Sequence, residues 1–183
     1  MINNFFQQFF LNNFDQQLAT IFVALRSEWG IKIFTAISFL GNYQFLVPFI
    51  LLITILLYIK KKNIFIFPLV LVIAGAEIIT FLGKIWLYRA RPLSAVFLES
   101  GFSFPSGHAT AAIAFYGFLA YVLIKVLKER YKCLIIISAV LLAFLIGLSR
   151  LYLGVHYFSD VITGYLVGLV ALLIGITLTK KYL

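Results

Sequence analysis

Apolar runs long enough to cross a bilayer recur along this chain, and most of them stop at clusters of basic residues. The clearest extend over about 33–59, 64–88, 105–127, 134–153 and 158–179. The first stops at Lys60, Lys61 and Lys62, and the second at Arg89, Arg91 and Pro92. In hydrocarbon every backbone N–H and C=O must be paired within the protein, so runs of this length predict helices. The expected fold is therefore all-α: a polytopic membrane helix bundle of five to six transmembrane helices with an N-terminal amphipathic helix. Length predicts one integral-membrane domain over 1–183, with its transmembrane core at 33–180.

Within the first run, Gly41, Asn42 and Pro48 predict interruptions. Ahead of it, Phe6, Phe10, Phe14, Leu18, Ile21 and Leu25 recur at a helical period, while the opposite face carries Gln and Asn pairs and Asp15. Residues 1–28 therefore read as an interfacial helix, the alternative being a sixth span that buries those polar groups in the bundle. The segment is too polar for a cleavable signal peptide.

A formal charge of +9 would suggest nucleic acid in a soluble protein. Here 63% of residues are hydrophobic and the mean hydropathy is +1.08, so the lysines between spans set orientation and no nucleic-acid partner is expected. Lys60 to Lys62, Lys125 to Lys132 and Lys180 to Lys181 fall on one side, predicted to be cytoplasmic. The loops at 89–105 and 150–158 then face the extracytoplasmic side. Cys133 is the only cysteine and there are two histidines, so neither an internal disulfide nor a thiolate or polyhistidine metal site is expected. Gly164, Gly168 and Gly175 in the last run predict close helix packing.

Four basic residues, Lys84, Arg89, Arg91 and Arg150, stand on the side where topology predicts few. Snorkelling to headgroups explains one or two of them but not their spacing. Lys84 and Arg91 are seven residues apart, two helical turns, and can face one target, with Arg89 off that face. Pro105, Ser106, Gly107 and His108 form a helix start able to present backbone N–H groups, a hydroxyl and an imidazole to an anion. Arg150, His156 and Asp160 fall within eleven residues, Asp160 one turn beyond His156 if the chain is helical there. Asp160 can then take the imidazole N–H and leave the distal nitrogen as a nucleophile; pairing with Arg150 is the structural alternative.

Lys84-x6-Arg91-Pro92, then Pro105-Ser106-Gly107-His108, then Ser149-Arg150-x5-His156-x3-Asp160 resembles the three-part signature of the type 2 phosphatidic acid phosphatase (PAP2) superfamily, over roughly residues 33–180. Many of its members have six spans, whereas here the first reads as an amphipathic helix. The resemblance implies a membrane lipid phosphatase. His156 would attack phosphorus, Asp160 orient it, and His108 protonate the leaving alkoxide and then activate water. Lys84, Arg91, Arg150, Ser106 and the Gly107 N–H would bind the phosphate oxygens. No cofactor and no metal are implied, since three cations and a helix N-terminus can hold the phosphate.

Outside the signature, Glu77 lies seven residues before Lys84, as an accessory group or as packing; Arg89 is a further accessory candidate. Glu99, in the 93–104 loop, reads as a solvated group more readily than as part of the site. The partners implied are a lipid phosphate substrate and the membrane lipids. Phosphatidylglycerophosphate, undecaprenyl diphosphate, phosphatidic acid and a lipid A phosphate all present the same terminal group. The compact chain suggests a bacterial inner membrane and favours the first two. An anion transporter or channel would use the arginines but leaves His156 and Asp160 unexplained. A vanadate-dependent haloperoxidase shares the site chemistry but has little use for five spans.

Overall fold

The computed structural model describes residues 13–182, and among them every regular element is helical. Helix α1 spans Asn13–Ala24 and α2 Glu28–Phe39. Then come α3 Tyr43–Ile59 and α4 Ile66–Leu87, α5 Gly107–Val126, α6 Lys132–Tyr152 and α7 Phe158–Tyr182. Five helical stretches are long and apolar enough to cross a membrane, among them Glu28–Ile59 taken as one. The protein is a multi-pass membrane helix bundle, as its apolar runs predict. The part of the expected N-terminal helix before Asn13 lies outside the described residues.

Gly41 and Asn42 do interrupt the first run, and the Asn42 side chain caps α3 by accepting from the Gln44 N–H at 2.9 Å. Pro48 does not interrupt it: α3 continues through the proline, which removes only one rung of the ladder. The second run ends at Leu87, within a residue of the expected 88, so Arg91 lies beyond the helix and the seven-residue spacing from Lys84 is not two turns of one helical face. Tyr88 takes a left-handed conformation (φ 49°) and closes α4 at Leu87, so Arg89 and Arg91 leave the helix axis and turn inward.

At the centre of the bundle α7 packs against α4 and α5, while α2 and α5 lie against α6. The core is aromatic and aliphatic, with Phe115, Phe118, Leu69, Val72 and Ile146 fully buried. Large apolar side chains such as Phe67, Phe81, Phe144 and Leu173 point outward, the arrangement a lipid-facing surface requires. Two glycines set the approach of α7 to the start of α5. A Cβ at Gly164 would stand 2.6 Å from the Ser106 carbonyl oxygen, and one at Gly168 would stand 2.5 Å from that of Thr110. Only glycine admits that separation, and the contact joins the helix carrying Asp160 to the helix carrying His108.

Helix α1 lies against α6 and α7. Phe14, Ile21 and Leu25 are exposed, as befits a helix whose apolar side meets lipid. Asp15 departs from the amphipathic reading: it is 2% exposed and turned into the protein. Arg26, just beyond α1, donates from Nε to the Tyr152 carbonyl at 2.8 Å and from Nη1 to that of Ser94 at 2.6 Å, tying this end of the chain to α6 and the 88–106 loop.

Candidate active site

The signature residues come from α4, the 88–106 loop, α5, α6, the α6–α7 junction and the first turn of α7, and the fold gathers them at one end of the bundle. His108 lies within electrostatic range of Arg150, His156, Arg91 and Lys84. Gly154 (φ +67°) ends the turn after α6, bringing His156 back over the bundle before α7 begins. The Ser106 N–H donates to the Asp160 carbonyl at 3.0 Å, joining the two helix starts.

His156 is buried between a carboxylate and a guanidinium. Its Nδ1 lies 3.4 Å from Asp160 Oδ2, and its Nε2 lies 3.2 Å from Arg91 Nη1. An arginine only donates, so Nε2 must present its lone pair and Nδ1 carry the proton toward Asp160. Burial pushes the imidazole down to about 4, against the raising influence of Asp160, so the ring is neutral at physiological pH. Neutral, with a lone pair on the side of the cations, it has the form a nucleophile needs.

Asp160 is fully buried with both oxygens engaged. Oδ1 accepts from Arg89 Nη1. Oδ2 accepts from the Ser103 hydroxyl and, at 2.9 Å, from the Tyr157 N–H. Its cationic partner is thus Arg89 rather than Arg150. Arg89 is 1% exposed, and its guanidinium stacks on the Tyr157 ring at 4.3 Å.

Arg91 Nη1 also donates to the Val155 carbonyl at 2.8 Å and pairs with Glu99 Oε2 at 3.0 Å. Arg150 is buried, donates to Ser38 Oγ at 2.5 Å and pairs with Glu99 Oε1. Glu99 is therefore not a solvated loop residue but a bridge between two signature arginines. Burial alone would raise its carboxyl; Arg150 above all, with Arg91, holds it below the usual carboxylate range. Lys84 Nζ donates to the Phe102 carbonyl at 2.6 Å. Ser106 Oγ is buried and has no hydrogen-bond partner.

Beside His108 a groove of about 310 Å³ opens between α3, α4 and α5, lined by Tyr43, Leu46, Val47, Ile73 and Glu77. Its walls are almost wholly apolar. Glu77 brings the one carboxylate to this lining, within electrostatic range of Lys84.

Sequence reasoning missed Asp15 and Ser103 as neighbours of this cluster. Asp15 carried a usable signal, a carboxylate on a helix otherwise rich in apolar residues. Ser103 carried none, being a serine in a loop between two phenylalanines.

Residues 65–182 match the family model described as the PAP2 superfamily. The chain belongs to the PAP2 superfamily. Phosphatidylglycerophosphatase B of Bacillus subtilis (strain 168) is 35% identical over 158 residues, which cover 85% of this chain and 78% of that protein. The lipid A 4'-phosphatase of Bacteroides thetaiotaomicron is 30% identical over 180 residues, covering 87% and 74% respectively. Among solved structures, the transmembrane PAP2-type phosphatidylglycerolphosphate phosphatase from Bacillus subtilis superposes with a TM-score of 0.90 at 30% identity, covering 98% of this chain and 93% of that one. This PAP2 protein is thus a bacterial membrane lipid phosphatase with the family's helical fold.

Proposed function

We propose that the protein hydrolyses the terminal phosphate of a membrane lipid through a phosphohistidine on His156, at the extracytoplasmic face of a bacterial inner membrane. The observation that carries this reading is the His156 ring, held by Asp160 on Nδ1 while Nε2 faces Arg91. The Nε2 lone pair forms the N–P bond as the P–O bond to the lipid breaks, and His108 gives its proton to the departing alkoxide. The imidazole becomes cationic, which the Asp160 carboxylate offsets. His108 then takes a proton from water, whose oxygen attacks phosphorus, releases phosphate and returns His156 to its neutral form.

Charge developing on the non-bridging oxygens falls to Lys84, Arg91 and Arg150, with Ser106 Oγ and the Gly107 N–H completing the cradle. Three cations at a helix N-terminus supply what a metal would otherwise supply. The groove beside His108 suits the hydrocarbon part of the substrate, which reaches the headgroup site from between helices. The extracytoplasmic assignment is supported by the basic runs at the opposite end, Lys60 to Lys62 and Lys180 to Lys181.

Phosphatidylglycerophosphate is the substrate we favour, because the relative named for it is 35% identical and the solved phosphatase superposes with a TM-score of 0.90. Phosphate release from purified protein supplied in turn with phosphatidylglycerophosphate, undecaprenyl diphosphate, phosphatidic acid and a lipid A phosphate tests the choice. The highest kcat/KM should fall on phosphatidylglycerophosphate. A higher value on any other lipid reassigns the substrate, and no release from any of them defeats the proposal.

A further inference from the structure

Across Arg89 from Asp160 lies a second buried carboxylate, Asp15, that the mechanism does not use. Arg89 Nη2 donates to Asp15 Oδ2 at 2.7 Å, while its Nη1 serves Asp160 Oδ1. Nη1 also donates to Ser159 Oγ at 2.7 Å. Asp15 reaches the start of α7 as well, accepting from the Ser159 N–H at 3.0 Å and from its hydroxyl at 2.5 Å. Asp15, Arg89 and Asp160 are 2%, 1% and 0% exposed, so their charges interact with little screening from water.

The charge balance gives this arrangement its meaning. One guanidinium between two carboxylates leaves the cluster with one surplus negative charge beside a neutral His156. If Arg89 faced Asp160 alone, the pair would be neutral and Asp160 would have little left to offset an imidazolium. With Asp15 sharing Arg89, the surplus charge remains and is balanced when His156 becomes cationic on attacking phosphorus.

We propose that Asp15 is a positioning residue for the phosphatase reaction: through Arg89 and Ser159 it fixes Asp160 and keeps that carboxylate electrostatically available to His156. The helix α1, outside the signature, thereby becomes part of the catalytic unit. This rests on the assignment of His156 as nucleophile. The groups that face His156 are Asp160 from α7, Arg91, Glu99 and Ser103 from the loop, Arg150 from α6 and His108 from α5. A change at Asp15 removes none of these groups and reaches His156 only through Asp160.

The test is Asp15→Asn, which keeps an oxygen for Ser159 and removes the charge. Removing a supporting partner of this kind should lower kcat by about 10–100-fold with KM nearly unchanged. The acid limb of kcat/KM, set by His156, should move to lower pH by about one unit. Arg89→Gln, which makes the cluster more negative, should move the limb to higher pH. Opposite displacements identify an electrostatic role, which loss of packing alone would not produce. Should Asp15→Asn not fold, Arg89→Gln and the charge-retaining Asp15→Glu carry the test: the first must raise the limb and the second leave it within about half a unit. A limb that stays in place in Arg89→Gln, or wild-type kcat in Asp15→Asn, overturns the proposal. His156→Ala separates the two claims: if it is inactive, failure at Asp15 is confined to Asp15, whereas turnover in His156→Ala removes the nucleophile itself.

Discussion

Glu99 Oε1 accepts a hydrogen bond from Arg150 Nη2, so a loop carboxylate sits on one of the cations proposed to hold the phosphate. Its other oxygen pairs with Arg91 at 3.0 Å. A carboxylate bridging two guanidinium groups satisfies the donors that two phosphate oxygens would use. A bound phosphate must displace it or share the arginines with it.

Glu99→Gln should therefore tighten binding of vanadate or inorganic phosphate. Losing a competing anion and its repulsion should lower Ki by about 3–10-fold, within the range of charge-assisted contacts. Because Glu99 is held below the usual carboxylate range, the difference from wild type should persist down to mildly acidic pH. Competitive inhibition assays across pH check this; a Ki unchanged or raised in Glu99→Gln contradicts it.

The depressed His156 fixes two pH dependences. The acid limb of kcat/KM should lie near pH 4 rather than in the usual histidine range, because the free enzyme's imidazole takes a proton only at about 4. Stability follows the same group. The unfolded chain binds that proton below the ordinary histidine value of about 6.5 and the folded chain does not, so stability falls as pH drops from about 6.5 toward 4. Thermal unfolding in detergent, compared between wild type and His156→Ala, should show the variant losing less stability over that window.

Gly168→Ala should damage the site from a distance. A Cβ there stands 2.5 Å from the Thr110 carbonyl oxygen, forcing α7 away from α5 and with it Asp160 away from the His108 helix. Overpacking of this kind costs about 1–3 kcal/mol. A lower unfolding temperature together with reduced kcat is expected, whereas Gly75→Ala, with open space around its Cβ, should change neither.

Vanadate should inhibit competitively and EDTA should leave turnover intact, since the proposed cradle would use Lys84, Arg91 and Arg150 in place of a metal. Steady-state assays with each reagent decide it: activity lost to EDTA and restored by magnesium contradicts the metal-independent mechanism.

Helix type and number were legible because apolar runs ended by basic clusters admit few alternatives in a bilayer. The residue types of the site were legible, but helical period does not join them: Arg91 lies beyond the end of α4 at Leu87 and His156 lies before α7 begins at Phe158. What could not be read were contacts between distant segments. Asp15 lies 74 residues from Arg89, and Glu99 lies 51 residues from Arg150. Nothing local in either stretch indicates the partner: the apolar setting of Asp15 singles it out without pointing to Arg89, and a loop glutamate reads as solvated until the fold encloses it. The end of α4 shows the same limit on a smaller scale: Pro92 signals a helix stop, but the left-handed Tyr88 that turns Arg89 inward depends on tertiary context.

The proposed phosphohistidine is tested directly by trapping. Purified protein mixed with phosphatidylglycerophosphate carrying a labelled terminal phosphate, then quenched within the first turnover, should hold label that survives base and is released by acid, as a phosphorus–nitrogen bond to imidazole requires. Peptide mapping should place it on His156, and His156→Ala should acquire none and release no phosphate. Label on another residue, or phosphate release by His156→Ala at a rate near that of the wild type, would contradict nucleophilic attack by His156.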